Sequence, residues 1–193
     1  MGSHAEEKSP IERAMEKARF SEVECYLKAG VDPNYRDSKD NTLLYTAVKN
    51  NYTDIIRLLL KYNANINQLN MGRESVIHLA ARLGNMEICK ILLNSGASLS
   101  IENIRNQLPI ITAIKADHQE IVSFFLHYSP EMLSVKDNAG KEIWEHACTE
   151  KMKTCISQIK QFRKRIPLLF VKVCTKIFEK VPDGVFQSLV QFL

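Results

Sequence analysis

Thr42-Leu43-Leu44-Tyr45-Thr46-Ala47 returns 33 positions later as Ser75-Val76-Ile77-His78-Leu79-Ala80. The step is not confined to these two stretches. Ala14, Ala47, Ala80 and Ala113 stand 33 residues apart, and Ala147 follows after 34. Leu27, Leu60, Leu93 and Leu126 keep the same interval, as do Val31, Ala64 and Ala97. Several registers with one period are the signature of a repeat array, in which each unit buries its apolar face on the next.

Each period reads alike. A short polar segment leads to Ser9-Pro10-Ile11, Thr42-Leu43-Leu44, Ser75-Val76-Ile77 or Leu108-Pro109-Ile110. Ser or Thr there suits a helix N-cap, because its oxygen accepts a backbone N–H. An alanine-bearing helix is predicted next, then a turn, then a second apolar helix such as Ile55-Ile56-Arg57-Leu58-Leu59-Leu60. Gly30, Asn63 and Gly96 end the second helix, and these residues accept positive φ most readily. The invariable alanine leaves room for neighbouring helices to approach.

The pattern resembles the ankyrin repeat, whose T-P-L-H-x-A motif is matched at Thr42–Ala47 and Ser75–Ala80. The resemblance continues through Gly84-Asn85 and Leu92-Leu93-Asn94-Ser95-Gly96-Ala97 and covers about residues 6 to 160. It implies an all-α solenoid of about five helix-turn-helix repeats, to which the tail's own pattern adds a two-helix C-terminal extension. The expected units are 9–38, 39–70, 71–103, 104–137 and 138–165. Residues 1–8 are read as a lead-in, with Met1-Gly2-Ser3-His4 as a vector scar. Residues 166–193 are read as an amphipathic tail. At the hairpin tips the family's glycine occurs only as Gly140, whereas Asp40, Arg73 and Asn106 occupy the equivalent places. Arginine tolerates a left-handed backbone poorly, so a distorted hairpin is expected near Gly72-Arg73. The fifth repeat is expected to be degenerate.

Composition is that of a globular chain: 193 residues, 45% hydrophobic, 25% charged, net charge +4. No apolar run is long enough to cross a membrane. Five scattered cysteines without a C-x-x-C suit reduced thiols and a cytoplasmic or nuclear setting. The richness in Asn, Ile and Lys fits an AT-rich genome, and host cytoplasm is the setting if the chain is a pathogen effector. From Lys151 onward nine Lys/Arg meet two acids, a +7 segment on a body carrying −3.

No phosphate-binding glycine motif, nucleophile elbow or H-E-x-x-H is present. The family places His78 where it hydrogen-bonds a neighbouring turn, and His118 at an inter-helix turn. Cys148 and Cys155 alone would leave zinc short of ligands. No catalysis, cofactor or metal is expected. Instead, the resemblance implies a concave face of hairpin tips and inner helices that binds a protein client. Its candidate contacts are Asn41, Thr46, Lys49, Asn50, Glu74, Leu79, Arg82, Gln107, Thr112, Lys141 and His146.

The tail offers a second surface. Phe170, Cys174, Ile177 and Phe178 share an apolar face, opposite Lys172, Lys176 and Lys180. Pro182-Asp183-Gly184 breaks that helix, and Val185, Phe186, Leu189 and Phe192 begin another. Val181 to Leu193 resembles the opening of an F-box, with Gly184 replacing the usual acid, and implies Skp1-cullin ligase recruitment. Phe170 to Phe178 resembles the elongin-binding helix of a SOCS box, which implies an elongin-cullin ligase. The alternatives are a tail that only caps the solenoid, and a basic tail on anionic membrane. Neither nucleic acid nor membrane is the expected partner.

Overall fold

The computed structural model describes residues 8–137 and 140–161. Four helix pairs follow one another: α1 (Pro10–Glu16) with α2 (Phe20–Lys28), α3 (Leu43–Lys49) with α4 (Thr53–Lys61), α5 (Val76–Leu83) with α6 (Met86–Asn94), and α7 (Pro109–Lys115) with α8 (Gln119–Tyr128). Two 3-10 turns, Pro130–Ser134 and Ile143–His146, come next, and residues 150–161 are helical. Among the described residues there is no strand, only isolated bridges at Arg36–Thr42 and Lys136–Glu142. The architecture is an all-α repeat solenoid.

The first helices of successive pairs stack in one row, α1 on α3, α3 on α5, α5 on α7, and α7 on the Ile143–His146 turn. The period-33 alanines sit in these contacts: Ala14, Ala47, Ala80 and Ala113 are at most 1% exposed. A larger side chain would hold the helices apart. Val23, Ile56, Leu59, Leu92 and Val122 carry the core into the outer row.

Helix starts follow local chemistry. Ser9 Oγ accepts the Glu12 N–H and Thr42 Oγ1 accepts the Tyr45 N–H. Ser75 departs from the expected capping, because its hydroxyl is engaged by His78 at 2.7 Å. In the fifth unit the inner helix is reduced to the 3-10 turn at Ile143–His146. After α8, Ser129 keeps φ −130°, and the inserted Pro130–Ser134 turn takes the place of a left-handed ending.

Among the described residues, every one with positive φ falls in one of three registers. The inter-helix turns hold Ala18, Asn51, Gly84 and Asp117. The ends of the second helices hold Gly30, Asn63 and Gly96. The hairpin tips hold Asp40, Arg73, Asn106 and Gly140. The distortion expected near Gly72-Arg73 does not occur. Arg73 takes φ 51°, and its N–H donates to Asn70 O at 2.8 Å, as Asn106 N does to Asn103 O at 2.9 Å. Asn70 Oδ1 holds the loop by accepting the Gly72 and Glu74 N–H groups, both at 3.0 Å. Arg73 is therefore strained in a regular hairpin. Replacing it with glycine is expected to stabilise the array by about 0.5–1 kcal/mol, measured by urea denaturation.

Candidate functional site

The tips and first helices present one face, and two clefts open on it. One, of about 390 Å³, lies between the tips at Asn70–Glu74 and Asn103–Gln107 and is backed by Arg82 and Thr112. The other, of about 320 Å³, runs along α1 and α3 and includes Glu12, Asp37, Asn41, Thr46 and Lys49.

The tips are rigid for a reason written in the sequence. Asp37, Asn70, Asn103 and Asp137 recur at the repeat interval, and each side-chain oxygen accepts the N–H four residues on, at 2.8 to 3.1 Å. Short polar side chains folding onto their own backbone make such turns. This spacing was available as a signal for the tip positions.

In the larger cleft, Glu74 is the central carboxylate. The Tyr45 hydroxyl donates to Glu74 Oε2 at 2.6 Å, and Arg82 donates to both carboxylate oxygens at 3.1 Å. Burial, and then Glu74, push the Tyr45 phenol far above its ordinary range, so it stays protonated as a donor. The group joins α3, a tip and α5 without leaving an open charge at Glu74.

His78 lies beneath this surface, fully buried. Its Nε2–H donates to Gln107 O at 2.9 Å, which leaves Nδ1 to accept from Ser75 Oγ at 2.7 Å. Burial lowers its pKa, and the Gln107 contact opposes that only in part. Both nitrogens are occupied by neighbouring turns, as expected of this position. His118 Nε2–H donates to Arg82 O at 3.1 Å and His146 Nε2 pairs with Asp137 Oδ2 at 3.0 Å. Both contacts tie turns together.

Of the candidate contacts, Asn41, Thr46, Lys49 and Asn50 line the smaller cleft. Glu74, Arg82, Gln107 and Thr112 line the larger. Thr112 offers little surface at 8% exposure. Leu79 offers none: at 2% exposure it packs in the core, because α5 is flanked by α3, α6 and α7. Lys141 is exposed and lies in neither cleft. His146 is held by Asp137. Pattern alone omits Tyr45, Asn70, Ile104 and Arg105. The tail candidates Phe170, Cys174, Ile177, Phe178, Pro182, Val185, Phe186, Leu189 and Phe192 lie outside the described residues.

Among the described residues no group of three or more His, Cys, Asp or Glu is placed to hold a metal ion. Cys89 is buried, and burial pushes its thiol up to about 12. It is expected to label with a thiol reagent far more slowly than exposed Cys25 and Cys148, as read by peptide mass mapping of the native protein.

A family model described as ankyrin repeats in three copies matches residues 12–103 and again 77–161. Two ankyrin repeat proteins of Fowlpox virus are similar. One is 27% identical, over 52% of this chain and 18% of its own length. The other is 25% identical, over 74% of this chain and 28% of its own. Diacylglycerol kinase zeta of Rattus norvegicus is 28% identical over 58% of this chain, which is 12% of the kinase. The chain thus spans less than a third of each of these relatives.

Proposed function

The chain belongs to the ankyrin-repeat family, and from that premise we propose that it is a non-enzymatic interaction adaptor. Ankyrin solenoids are protein–protein interaction scaffolds, and their stacked units build extended binding faces. The hairpin face takes a client protein, and the C-terminal tail recruits a second protein, a cullin ubiquitin ligase through Skp1 or elongin.

One observation carries the client half. Two clefts on the tip face gather eight side chains from three successive repeats: Asn41, Thr46, Lys49 and Asn50 in one, Glu74, Arg82, Gln107 and Thr112 in the other. Affinity on such a face comes from a few anchors rather than from area. The likeness to a kinase covers a small part of that enzyme and lends the chain no catalysis. The ligase half rests on the tail sequence, an F-box-like Val181–Leu193 and an elongin-box-like Phe170–Phe178.

The test is a paired pull-down from eukaryotic lysate, with the whole chain and a form ending at Arg165 as baits. Both must first show a cooperative melt. Skp1 or elongin with a cullin on the longer bait alone supports recruitment by the tail. A client common to both baits, lost on Arg82→Glu, supports the hairpin face. If the shorter bait unfolds and the longer one retains no ligase component, the tail is a cap and the adaptor reading fails.

A further inference from the structure

The third unit's tip and the fourth's lie side by side, because the Ile104 N–H donates to Gly72 O at 3.1 Å. Each carries a large apolar side chain into water: Met71 is 74% exposed and Ile104 is 65% exposed. Ile104 lines the cleft of about 390 Å³ and Met71 stands between two of its lining residues, Asn70 and Gly72, so the touching tips set an apolar lip at the edge of a largely polar cleft. Scattered apolar side chains are ordinary, but a paired lip beside a cleft marks contact.

The charges on the two tips lean positive, Arg73 and Arg105 against Glu102. Arg105 lines the cleft and Arg73 stands at the adjoining tip, both exposed, and neither has an ion-pair partner among the described residues. The cleft's own carboxylate, Glu74, is already taken by Arg82 and Tyr45. Glu74 is thus closed to both guanidiniums. Arg73 also holds φ 51° at a position where the other tips use Asp40, Asn106 and Gly140. A costly backbone conformation that displays a cation at a loop tip points to use.

We infer that these two tips dock an extended, acidic segment of a partner protein, with an apolar side chain against Met71 and Ile104 and carboxylates on Arg73 and Arg105. The inference rests on the client-binding reading and names the chemistry of the client. Planar guanidiniums favour paired contacts with carboxylates. The apolar lip argues for a peptide rather than a nucleic-acid backbone, which would need a longer run of cations.

The test pans a random dodecapeptide display library on the full chain at physiological salt. Enriched peptides are then measured by fluorescence anisotropy. The expected winners carry Asp or Glu on both sides of Leu, Ile, Met or Phe. Arg73→Glu with Arg105→Glu is expected to weaken them by about tenfold or more, and binding falls as salt rises. Met71→Ser with Ile104→Ser weakens the same peptides. Lys61→Glu on the outer row leaves them unchanged. These side chains are exposed, so the melts of all variants should remain cooperative. Winners that are basic or uncharged, or acidic winners indifferent to the arginine reversals, overturn the inference while leaving a client-binding face intact. Failure to enrich any peptide also overturns it, and the client-binding reading is then judged by the pull-down alone. Tighter binding of an oligonucleotide at the same arginines overturns it as well.

Discussion

Gly84→Ala is expected to lower the stability of the array by about 2–3 kcal/mol, a fall in Tm of roughly 5–10 °C. Two independent costs add. Gly84 has φ +75°, a conformation that strains any residue with a Cβ. The added methyl would also stand 2.5 Å from His118 Cε1 and 2.8 Å from both ring nitrogens. Real atoms do not approach so closely, so the imidazole must swing away and give up its bond to Arg82 O. A double-mutant cycle separates the two. His118→Ala placed in the Gly84→Ala background should remove the steric part and leave the backbone part, with a coupling of about 1 kcal/mol. Additive losses, with no coupling, would show that the ring and the glycine do not share their space.

His78→Leu is expected to cost about 2–3 kcal/mol, because it keeps the volume but orphans the buried Ser75 hydroxyl and leaves the Gln107 carbonyl with the Asn103 N–H alone. The ring also predicts a pH response. Its folded pKa lies below the ordinary value of about 6.5, because burial disfavours the cation. Between those two values the unfolded chain binds more protons than the folded one. His78 therefore stabilises fully above about pH 6.5, and this contribution is lost as pH falls toward the folded pKa. Chemical denaturation at pH 7.5 and pH 5.5 should show a decline in the parent that is smaller in His78→Gln, itself less stable at the higher pH. An equal decline in both proteins would assign the acid sensitivity to other groups.

The repeat was legible because burial imposes it. Ala47 and Ala80 are 0% exposed, and no other constraint would set small residues 33 apart in this way. The role of His78 was legible through the family resemblance, and burial gives its physical reason, since a polar residue at a core position must find partners. Leu79 misleads because periodicity assigns a helix face without saying how many neighbours cover it. A central helix flanked on three sides leaves only a narrow open stripe, near Arg82 and Leu83, and Leu83 is 48% exposed. The Arg73 tip misleads in the other direction. Its intrinsic preference is real, but Asn70 and the closing bonds of the hairpin outweigh it. Of the candidate site, single positions on the tip face could be read from the period. The Tyr45–Glu74–Arg82 group could not, since it joins side chains of two repeats that no local pattern relates.

The side-chain bonds between units share one further property. Tyr45 to Glu74, His78 to Gln107 and His118 to Arg82 join residues 29, 29 and 36 apart, each a link between adjacent units. Length is consequently an editable quantity. Splicing in a second copy of the 33-residue segment from Asn70 to Glu102 would extend the row of tips by one finger and leave both flanking junctions with their accustomed neighbours, while the one new junction, between the copies, would hold His78 and Asn85 in the places of Tyr45 and His118.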